Sequence, residues 1–343
     1  MSLGVRKPLN IAVLGAGSWG ITLANHCAQL GHAVFLWEFD PQSAQELSLT
    51  RRRDEVLKDV LIHRSVGITA DLQRAVASAD IILLVTPSHV VRGVLKQLRL
   101  LTTAEGVVVV NCAKGLEIDS LCRMSEIVRQ ELPSTLADRY TVLSGPSHAE
   151  EVSRNIPTAI VAAAENEKVA AFVQQALSSL WLRIYRSIDV IGVELGAALK
   201  NVIAIAAGVC DGAGFGDNTK AALQPRGLAE IARLGQKLGA DPLTFAGLSG
   251  MGDLIVTCMS RHSRNRYVGE QIGRGRRLEE ILAGMTMVAE GVRTAKAAVA
   301  LAEKHQTEMP ICTEVYKLLY ENKNPRQALV DLLNREIKPE FWR

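Results

Sequence analysis

The chain of 343 residues lacks most features of disulfide-stapled, metal-binding and membrane-spanning proteins. Its six cysteines are scattered and form no CxxC pair, which argues against a disulfide framework or a zinc site and favours reduced thiols. The longest uninterrupted apolar run, Val202 to Cys210, is about half as long as a membrane-spanning helix requires. We therefore expect neither a membrane span nor a resident metal.

Strong charge and an export signal are also missing. The formal net charge is only +3, which is too small to predict a nucleic-acid partner. The N-terminus passes from a short basic arm directly into an apolar strand, without the long apolar core and cleavage site of a secretory signal. The sequence contains no internal repeat and no low-complexity segment. These absences predict an ordinary cytoplasmic globular protein.

The sequence does contain a change of pattern near residue 189. Before it, short apolar runs alternate with amphipathic stretches, which indicates a parallel sheet covered by helices on both faces. The strand predictions are Ile11–Leu14, Ala33–Trp37, Ile81–Val85, Val107–Asn111, Thr141–Leu143, Ala159–Ala163 and Leu182–Tyr185. After it, helical spacing dominates 190–210, 219–239, 264–284, 291–305 and 313–321. We predict a doubly wound α/β domain, residues 1–189, followed by an all-helical domain, residues 190–343.

The first predicted strand is followed by a glycine-rich turn. Residues 15–20, GAGSWG, match the pattern GxGxxG and lead into a helix-compatible run. In this pattern Gly15 allows the tight turn, Gly17 lets the backbone approach a pyrophosphate, and Gly20 allows close helix–strand packing. The helix N-terminus presents N–H groups and a positive dipole end to the phosphates. With Glu38 at the end of the second strand, the turn predicts a Rossmann-type dinucleotide-binding domain.

The same region leaves the choice between NAD and NADP open. Glu38 can accept hydrogen bonds from a ribose 2′-hydroxyl, which favours NAD, whereas Arg51–Arg53 can neutralise the 2′-phosphate of NADP. We interpret Arg51–Arg53 as a solvated loop. On that interpretation NADH should be used at least as well as NADPH.

Two segments of the predicted sheet domain carry polar residues that a plain core does not need. Lys114 follows a buried strand, at the edge where open α/β sheets bind ligands, although a lysine can also simply mark a strand end. Gly145 and Ser147 belong to a turn that leads into a helical run, and Ser147 suits either a ligand contact or a helix cap. His148 follows as a proton donor or a packing residue. Each is inconclusive alone.

Two further segments lie in the helical half. Lys200 stands in an apolar helical run, where low dielectric and nearby cations favour a lysine that gives up its proton near neutral pH. Small residues on its face leave room for a ligand. The alternative is a lysine that snorkels at the edge of a core helix. Asp253 follows a glycine loop and can orient a lysine. Ser263 suits an N-cap with Arg264 and Asn265 in the first turn, which predicts either a phosphate site or a solvated helix start.

Taken together, these segments resemble the bacterial-type NAD(P)-dependent glycerol-3-phosphate dehydrogenases almost from end to end. The resemblance rests on GAGSWG at 15–20, NCAKGLE at 111–117, GPSHAEEV at 145–152, GAALKNVIAIAAG at 196–208, GLSGMGDLIVTC at 247–258, SRNR at 263–266 and VAEGVRTAKA at 288–297. It implies reversible hydride transfer between NADH or NADPH and dihydroxyacetone phosphate. The product is sn-glycerol 3-phosphate, for phospholipid synthesis. It also implies a homodimer.

The resemblance assigns roles to individual residues. Lys200 is the implied general acid and base, positioned with the substrate by Lys114 and Asp253. The implied substrate contacts are Lys114, Gly145, Ser147, Lys200, Asp253, Ser263, Arg264 and Asn265. The implied cofactor contacts, which include the glycines of the turn, are Gly15, Gly17, Ser18, Trp19, Gly20, Phe39, Lys114, Ala149, Arg264, Val288 and Glu290. Family members usually carry a basic residue at Phe39 and many carry Phe at His148, so NADP selectivity loses support and His148 receives no role.

Two other functions remain open from the sequence. A dehydrogenase of the hydroxyacid or ketopantoate reductase type also uses a lysine, but the cluster at 263–266 favours a phosphate over a carboxylate. A non-catalytic NAD-sensing protein needs the glycine turn but neither Lys200 nor Asp253.

Overall fold

The computed structural model describes residues 7–285, 287–337 and 339–340. The predicted basic arm at residues 1–6, and the C-terminal end of the predicted helical domain at 341–343, lie outside the described residues, as do positions 286 and 338.

Eight strands form one sheet in the order β3-β2-β1-β4-β5-β6-β7-β8. They are β1 Asn10–Leu14, β2 Ala33–Trp37, β3 Gly67–Thr69, β4 Ile81–Leu84, β5 Val108–Asn111, β6 Tyr140–Ser144, β7 Thr158–Ala163 and β8 Leu182–Ser187. The first six are parallel, and this confirms the doubly wound α/β prediction. β7 runs antiparallel to β6, and β8 is parallel to β7. The β6–β7 connection contains only a four-residue helix, so the chain returns without a full crossover helix.

Helices cover both faces of the sheet. They are α1 Ser18–Gln29, α2 Pro41–Thr50, α3 Leu72–Val76, α4 Val91–Leu98, α5 Met124–Glu131, α6 Ser134–Ala137, α7 Ala149–Val152 and α8 Glu167–Leu177. Side chains of β1 alternate between two apolar clusters, with Ile11 and Val13 in one and Ala12 and Leu14 in the other. A strand buried on both faces reads as a continuous apolar run, which is why these strands were predictable.

The described residues beyond 189 form helices, as predicted. These are α9 Val190–Ala213, α10 Asp217–Lys237, α11 Pro242–Ala246, α12 Asp253–Met259, α13 Arg264–Gly273, α14 Leu278–Ala283, α15 Glu290–Lys304, α16 Pro310–Tyr320 and α17 Pro325–Leu333, with a π-helical turn at Leu248–Gly252. The stretch 264–284 is two helices instead of one, and α11, α12 and α17 lie outside the predicted helical stretches. Asp189 caps α9 by accepting a hydrogen bond from Gly192 N. The domain division at 189/190 stays a prediction.

Helix α9 is the centre of the helical half. By length and composition alone, this helix could cross a membrane. Its longest uninterrupted apolar run, Val202 to Cys210, is too short to indicate this. In the structure 94% of its apolar window is buried, because α10, α12, α13 and α15 pack around it. Lys200 and Asn201 are therefore carried into the interior of the protein. A charged group in that position requires a partner or a function.

Candidate active site

Four elements bring polar side chains together at one edge of the sheet. Lys114 lies three residues beyond the end of β5, and Gly145 directly follows β6. Lys200 comes from the middle of α9, and Asp253 is the first residue of α12. The carboxyl ends of parallel strands are where open α/β sheets bind ligands, so the location agrees with the sequence prediction.

The carboxylate of Asp253 joins the two lysines. Its Oδ1 lies 2.9 Å from Nζ of Lys200, and its Oδ2 lies 2.9 Å from Nζ of Lys114. Asp253 and Lys200 are buried, whereas the side chain of Lys114 is partly exposed. Two buried or half-buried cations therefore share one anion, and the cluster keeps a net positive charge before any ligand binds.

Burial and neighbouring charge shift the acid–base properties of this cluster. Burial lowers the pKa of Lys200 to about 8; the carboxylate of Asp253 opposes this shift, and the ammonium of Lys114 adds to it. Burial acts to raise the pKa of Asp253, but the two ammonium groups outweigh burial and lower it. Lys200 is thus poised to exchange a proton near neutral pH, while Asp253 remains ionised.

Thr257 completes the cluster and was missed by the sequence reasoning. Its hydroxyl accepts a hydrogen bond from Nζ of Lys200 at 2.6 Å and donates to the carbonyl of Asp253 at 2.6 Å. The signal that could have found it is its position four residues after Asp253, which puts both side chains on one face of α12.

The turn after β6 provides the next contacts. Nζ of Lys114 donates to the carbonyl of Gly145 at 2.9 Å and lies 3.4 Å from Oγ of Ser147. Ser147 Oγ donates to the same carbonyl, and His148, not Ser147, is the N-cap residue of α7. The capping alternative for Ser147 is therefore wrong. The ring of His148 lies 5.9 Å from that of His262, and burial lowers the pKa of His148.

The segment predicted to hold a phosphate divides into three different environments. Ser263 caps α13 by accepting from Arg266 N at 3.2 Å, as the sequence predicted. Asn265 is buried; its Nδ2 donates to Oδ1 of Asn201 at 2.9 Å, and its Oδ1 accepts from Gly291 N at 2.8 Å. Arg264 is exposed and has no hydrogen bond or ion pair within residues 7–285, 287–337 and 339–340.

The glycine turn has the shape that a dinucleotide requires. Gly15 has a φ of +120°, and a Cβ at Gly20 would lie 1.8 Å from the carbonyl oxygen of Gly15. Gly17 faces open space, and no side chain caps the N-terminus of α1, which begins at Ser18. The first-turn N–H groups are therefore available for the phosphates of NAD or NADP.

The remaining predicted cofactor contacts vary in exposure. Ala149 is buried at the start of α7, Trp19 is partly buried beside the sheet, and Phe39 is 75% exposed beyond β2. Val288 is exposed ahead of α15. Glu290, the first residue of α15, accepts hydrogen bonds from N–H and Oγ–H of Ser88 at 3.0 and 2.7 Å. Ser88 is a second residue that the sequence reasoning missed.

The structure corrects the interpretation of Arg51–Arg53 as a solvated loop. Arg53 is ion-paired with Glu38, with 2.6 Å between Nη1 and Oε2. Arg51 Nη1 donates to the carbonyl of Val66 at 2.6 Å. Only Arg52 is exposed. The loop folds back toward the end of β2, so the arginines meet partners that are distant in sequence. A local charge pattern does not indicate such partners.

Two models of the NAD-dependent glycerol-3-phosphate dehydrogenase family match the chain. The N-terminal model covers residues 10–170, and the C-terminal model covers residues 189–330. The chain is also 48% identical over 332 residues to a protein of Chlorobium luteolum named glycerol-3-phosphate dehydrogenase (NAD(P)+), which covers 97% of this chain and 99% of the relative.

Solved structures give a consistent result. The crystal structure of glycerol-3-phosphate dehydrogenase from Coxiella burnetii has a TM-score of 0.90 and 34% identity, and covers 96% of this chain and 99% of its own. A ketopantoate reductase from Ralstonia eutropha has a TM-score of 0.58 at 16% identity, covering 94% of this chain and 99% of its own, so it shares the fold alone. Matched by both family models and by a relative of nearly its full length, the chain belongs to the NAD-dependent glycerol-3-phosphate dehydrogenase family.

Proposed function

We propose that this protein reduces dihydroxyacetone phosphate to sn-glycerol 3-phosphate, reversibly, with NADH or NADPH, and that Lys200 transfers the proton. The observation that carries the proposal is that the two lysine ammonium groups have different numbers of hydrogen-bond partners. Lys114 has three partners, namely Gly145, Ser147 and Asp253. Lys200 has two, Asp253 and Thr257.

An ammonium group has three N–H donors, so this difference separates the roles of the lysines. Lys114 has no donor left and acts as a positioning residue that holds Asp253 and the turn after β6. Lys200 keeps one donor for the oxygen of a bound ketone. Asp253 and Thr257 fix the direction of that donor, because each constrains one of the other two N–H bonds.

The chemistry then requires one proton and one hydride. The cofactor, when bound on the glycine turn, supplies the hydride to the carbonyl carbon. Lys200 donates its proton to the carbonyl oxygen, and a pKa of about 8 leaves it protonated at neutral pH yet able to release the proton. The positive charge of the lysine cluster stabilises the negative charge that develops on that oxygen. In the oxidation direction the neutral amine accepts the proton from the alcohol.

The phosphate of the substrate is proposed to bind at the start of α13. Arg264 forms no hydrogen bond or ion pair within the described part of the chain, although the carboxylates of Glu150 and Glu290 lie near enough to act on its charge, so its N–H donors are available to an anion. Burial lowers the pKa of its guanidinium, and the carboxylates of Glu150 and Glu290 oppose that shift. Ser263 and Asn265 are already bonded within the protein and support the helix end.

The broader setting follows from the family. We propose a cytoplasmic homodimer whose product enters phospholipid synthesis, with a nucleotide-binding domain at residues 1–189 and a substrate-binding helical domain at residues 190–343. Of the substrate-site residues that the family implies, we propose that Lys200 and Arg264 contact the substrate with their available donors and that Gly145 and Ser147 line its pocket. Lys114, Asp253, Ser263 and Asn265 are proposed to position those residues. The proposed cofactor contacts are Gly15, Gly17, Ser18, Trp19, Gly20, Phe39, Lys114, Ala149, Arg264, Val288 and Glu290.

The direct test mixes the purified protein with NADH and dihydroxyacetone phosphate and follows the loss of reduced-cofactor absorbance. We expect turnover with this substrate and none with ketopantoate. Turnover with ketopantoate alone would replace the proposed substrate. Binding of NADH without turnover of either would favour the NAD-sensing alternative.

A further inference from the structure

A cation–carboxylate pair lies beside the glycine turn of the predicted cofactor site. Nη1 of Arg53 lies 2.6 Å from Oε2 of Glu38 and also donates to the carbonyl of Ala16 at 3.2 Å. The Glu38 side chain is 5% exposed and that of Arg53 is 23% exposed. One guanidinium therefore connects the residue that follows β2 with the second residue of the glycine turn.

The location of this pair gives it a meaning for the cofactor. An acidic residue at the end of the second strand of a Rossmann-type fold accepts hydrogen bonds from the adenosine ribose. An arginine near the same point accommodates a 2′-phosphate in NADP-binding proteins. Both residue types occur here, but each is bonded to the other.

The energetics of the pair favour one of the two cofactors. If Arg53 turned toward a 2′-phosphate, the carboxylate of Glu38 would stay buried without its cation, next to a group of the same charge. Removing one partner of a buried pair is strongly unfavourable, because the remaining charge is no longer compensated. A 2′-hydroxyl asks for no such rearrangement, since a carboxylate can accept from Arg53 and from a hydroxyl together.

No other cation of the loop takes over the role. Arg51 is bonded to the carbonyl of Val66, and Phe39 stands beside Glu38. Arg52 is exposed, and its side chain has no hydrogen bond or ion pair with any described residue. Arg52 therefore offers a matched control, since it is the neighbouring arginine with the same charge and no contact to Glu38.

We propose that Arg53 is a positioning residue that selects NAD over NADP: it holds the Glu38 carboxylate against the glycine turn for the ribose hydroxyls and is thereby withheld from a 2′-phosphate. The inference refines the proposed function on the cofactor side. It concerns binding alone and does not depend on the proposed substrate.

The test measures dissociation constants of NADH and NADPH by fluorescence titration in the absence of substrate. Wild type should bind NADH about tenfold tighter than NADPH, as expected when a charge-assisted hydrogen bond is available to only one of them. Glu38→Gln keeps the shape of the side chain and removes the charge that holds Nη1 of Arg53, whose Nε keeps only its ion pair with the exposed Glu55 at 3.0 Å. It should therefore tighten NADPH binding by about tenfold and weaken NADH binding. Adding Arg53→Ala to Glu38→Gln should abolish the gain. Arg52→Ala should bind both cofactors like wild type.

The single variants at Arg53 separate positioning from a merely structural role. Arg53→Ala should weaken NADH binding, because Glu38 is no longer held, and Arg53→Lys should restore most of the affinity by restoring the charge. The proposal is overturned if Arg53→Ala leaves NADH binding unchanged, or if it weakens NADPH alone while Glu38→Gln has no effect on NADPH. Arg53 would then contact the phosphate directly. If wild type shows the expected selectivity but does not reduce dihydroxyacetone phosphate, only the proposed substrate is wrong.

Discussion

The lysine cluster and Arg264 are the two cationic regions of the candidate site, and their charges are balanced differently. Both lysines lie within 2.9 Å of the carboxylate of Asp253. Arg264 forms no ion pair or hydrogen bond with an acidic side chain of the described residues. Lys200 is buried, so its charge must be compensated for the chain to fold. Arg264 is accessible to solvent and is not bonded to the nearby carboxylates of Glu150 and Glu290, so its N–H donors stay available to an anion.

The comparison teaches that the two cations are prepared for different events. A group that gives up a proton needs a fixed direction and a shifted pKa, and both come from burial and close partners. A group that binds a dianion needs an unused charge, since a cation already paired with a carboxylate has less to gain from a phosphate. The following predictions test whether that division holds.

The largest effect is expected at Lys200. General acid–base groups contribute about 10²–10⁴-fold in rate, so Lys200→Ala should lower kcat by that order while NADH binding is retained. Lys237→Ala, at an exposed lysine near the end of α10, is the matched control and should keep wild-type activity. A Lys200→Ala enzyme with more than half of wild-type turnover would remove Lys200 from the chemistry.

Arg264→Ala should cause the next largest loss. Charge-assisted hydrogen bonds contribute about 1.5–3 kcal/mol, so kcat/KM for dihydroxyacetone phosphate should fall at least about tenfold. Because the phosphate is remote from the reacting carbon, part of the loss should appear in kcat as well as in KM. The exposed Arg261, three residues earlier, provides the control variant.

Unphosphorylated dihydroxyacetone distinguishes the explanations for that loss. It cannot use the phosphate contact, so it should be a poor substrate for wild type and for Arg264→Ala alike. An equal factor of loss for both substrates, in a normally folded variant, would show that Arg264 acts through the cofactor or the fold and does not bind the phosphate.

The pH dependence of ketone reduction should report the lysine cluster. Lys200 must be protonated to act as the acid, and its pKa lies at about 8. The value of kcat/KM should therefore be constant below pH 8 and fall by about tenfold per pH unit above it. In Asp253→Asn the fall should begin at lower pH, because the carboxylate raises the pKa of Lys200. A profile that stays flat through pH 10 would contradict the assignment.

The smallest expected effect is a difference in the free energy of unfolding between variants of Asn265 and Arg264. Asn265→Ala leaves the buried N–H of Gly291 without its acceptor, which should lower the free energy of unfolding by about 1–3 kcal/mol. Arg264→Ala removes no intramolecular hydrogen bond and should stay within about 0.5 kcal/mol of wild type. Chemical denaturation of the two variants gives the comparison. Equal stabilities would mean that the Asn265 amide is free to bind phosphate.

Much of the fold was readable because periodicity is a local property. Seven of the eight strands of the sheet were predicted, and those buried on both faces are continuous apolar runs. The exception, β3, has only three residues, Gly67–Thr69, and too short a pattern to recognise. The reversal of β7 also escaped prediction, since strand direction depends on the path of the connection and not on the strand's own residues.

The candidate site divides in the same way. The glycine turn, the capping hydroxyl of Ser263 and the apolar helix around Lys200 were predictable from neighbours within a few residues. The pairing of Lys114 with Asp253 joins residues 139 positions apart, and the sequence implied it only through the family resemblance. No local pattern indicated that Arg53 is bonded to Glu38 or that Asn265 is bonded to Asn201.

By itself, the sequence determined which segments become strands and helices, where a dinucleotide can approach the backbone, and which side chains carry chemistry. Only the tertiary structure decided which of those side chains already form hydrogen bonds or ion pairs within the protein. Lys114, Asn265 and Arg53 are bonded within the protein, whereas Lys200 keeps one donor and Arg264 has no hydrogen bond to any described residue. The physical reason is that a polar group's function depends on its unsatisfied bonding capacity, and its partners come from distant parts of the chain.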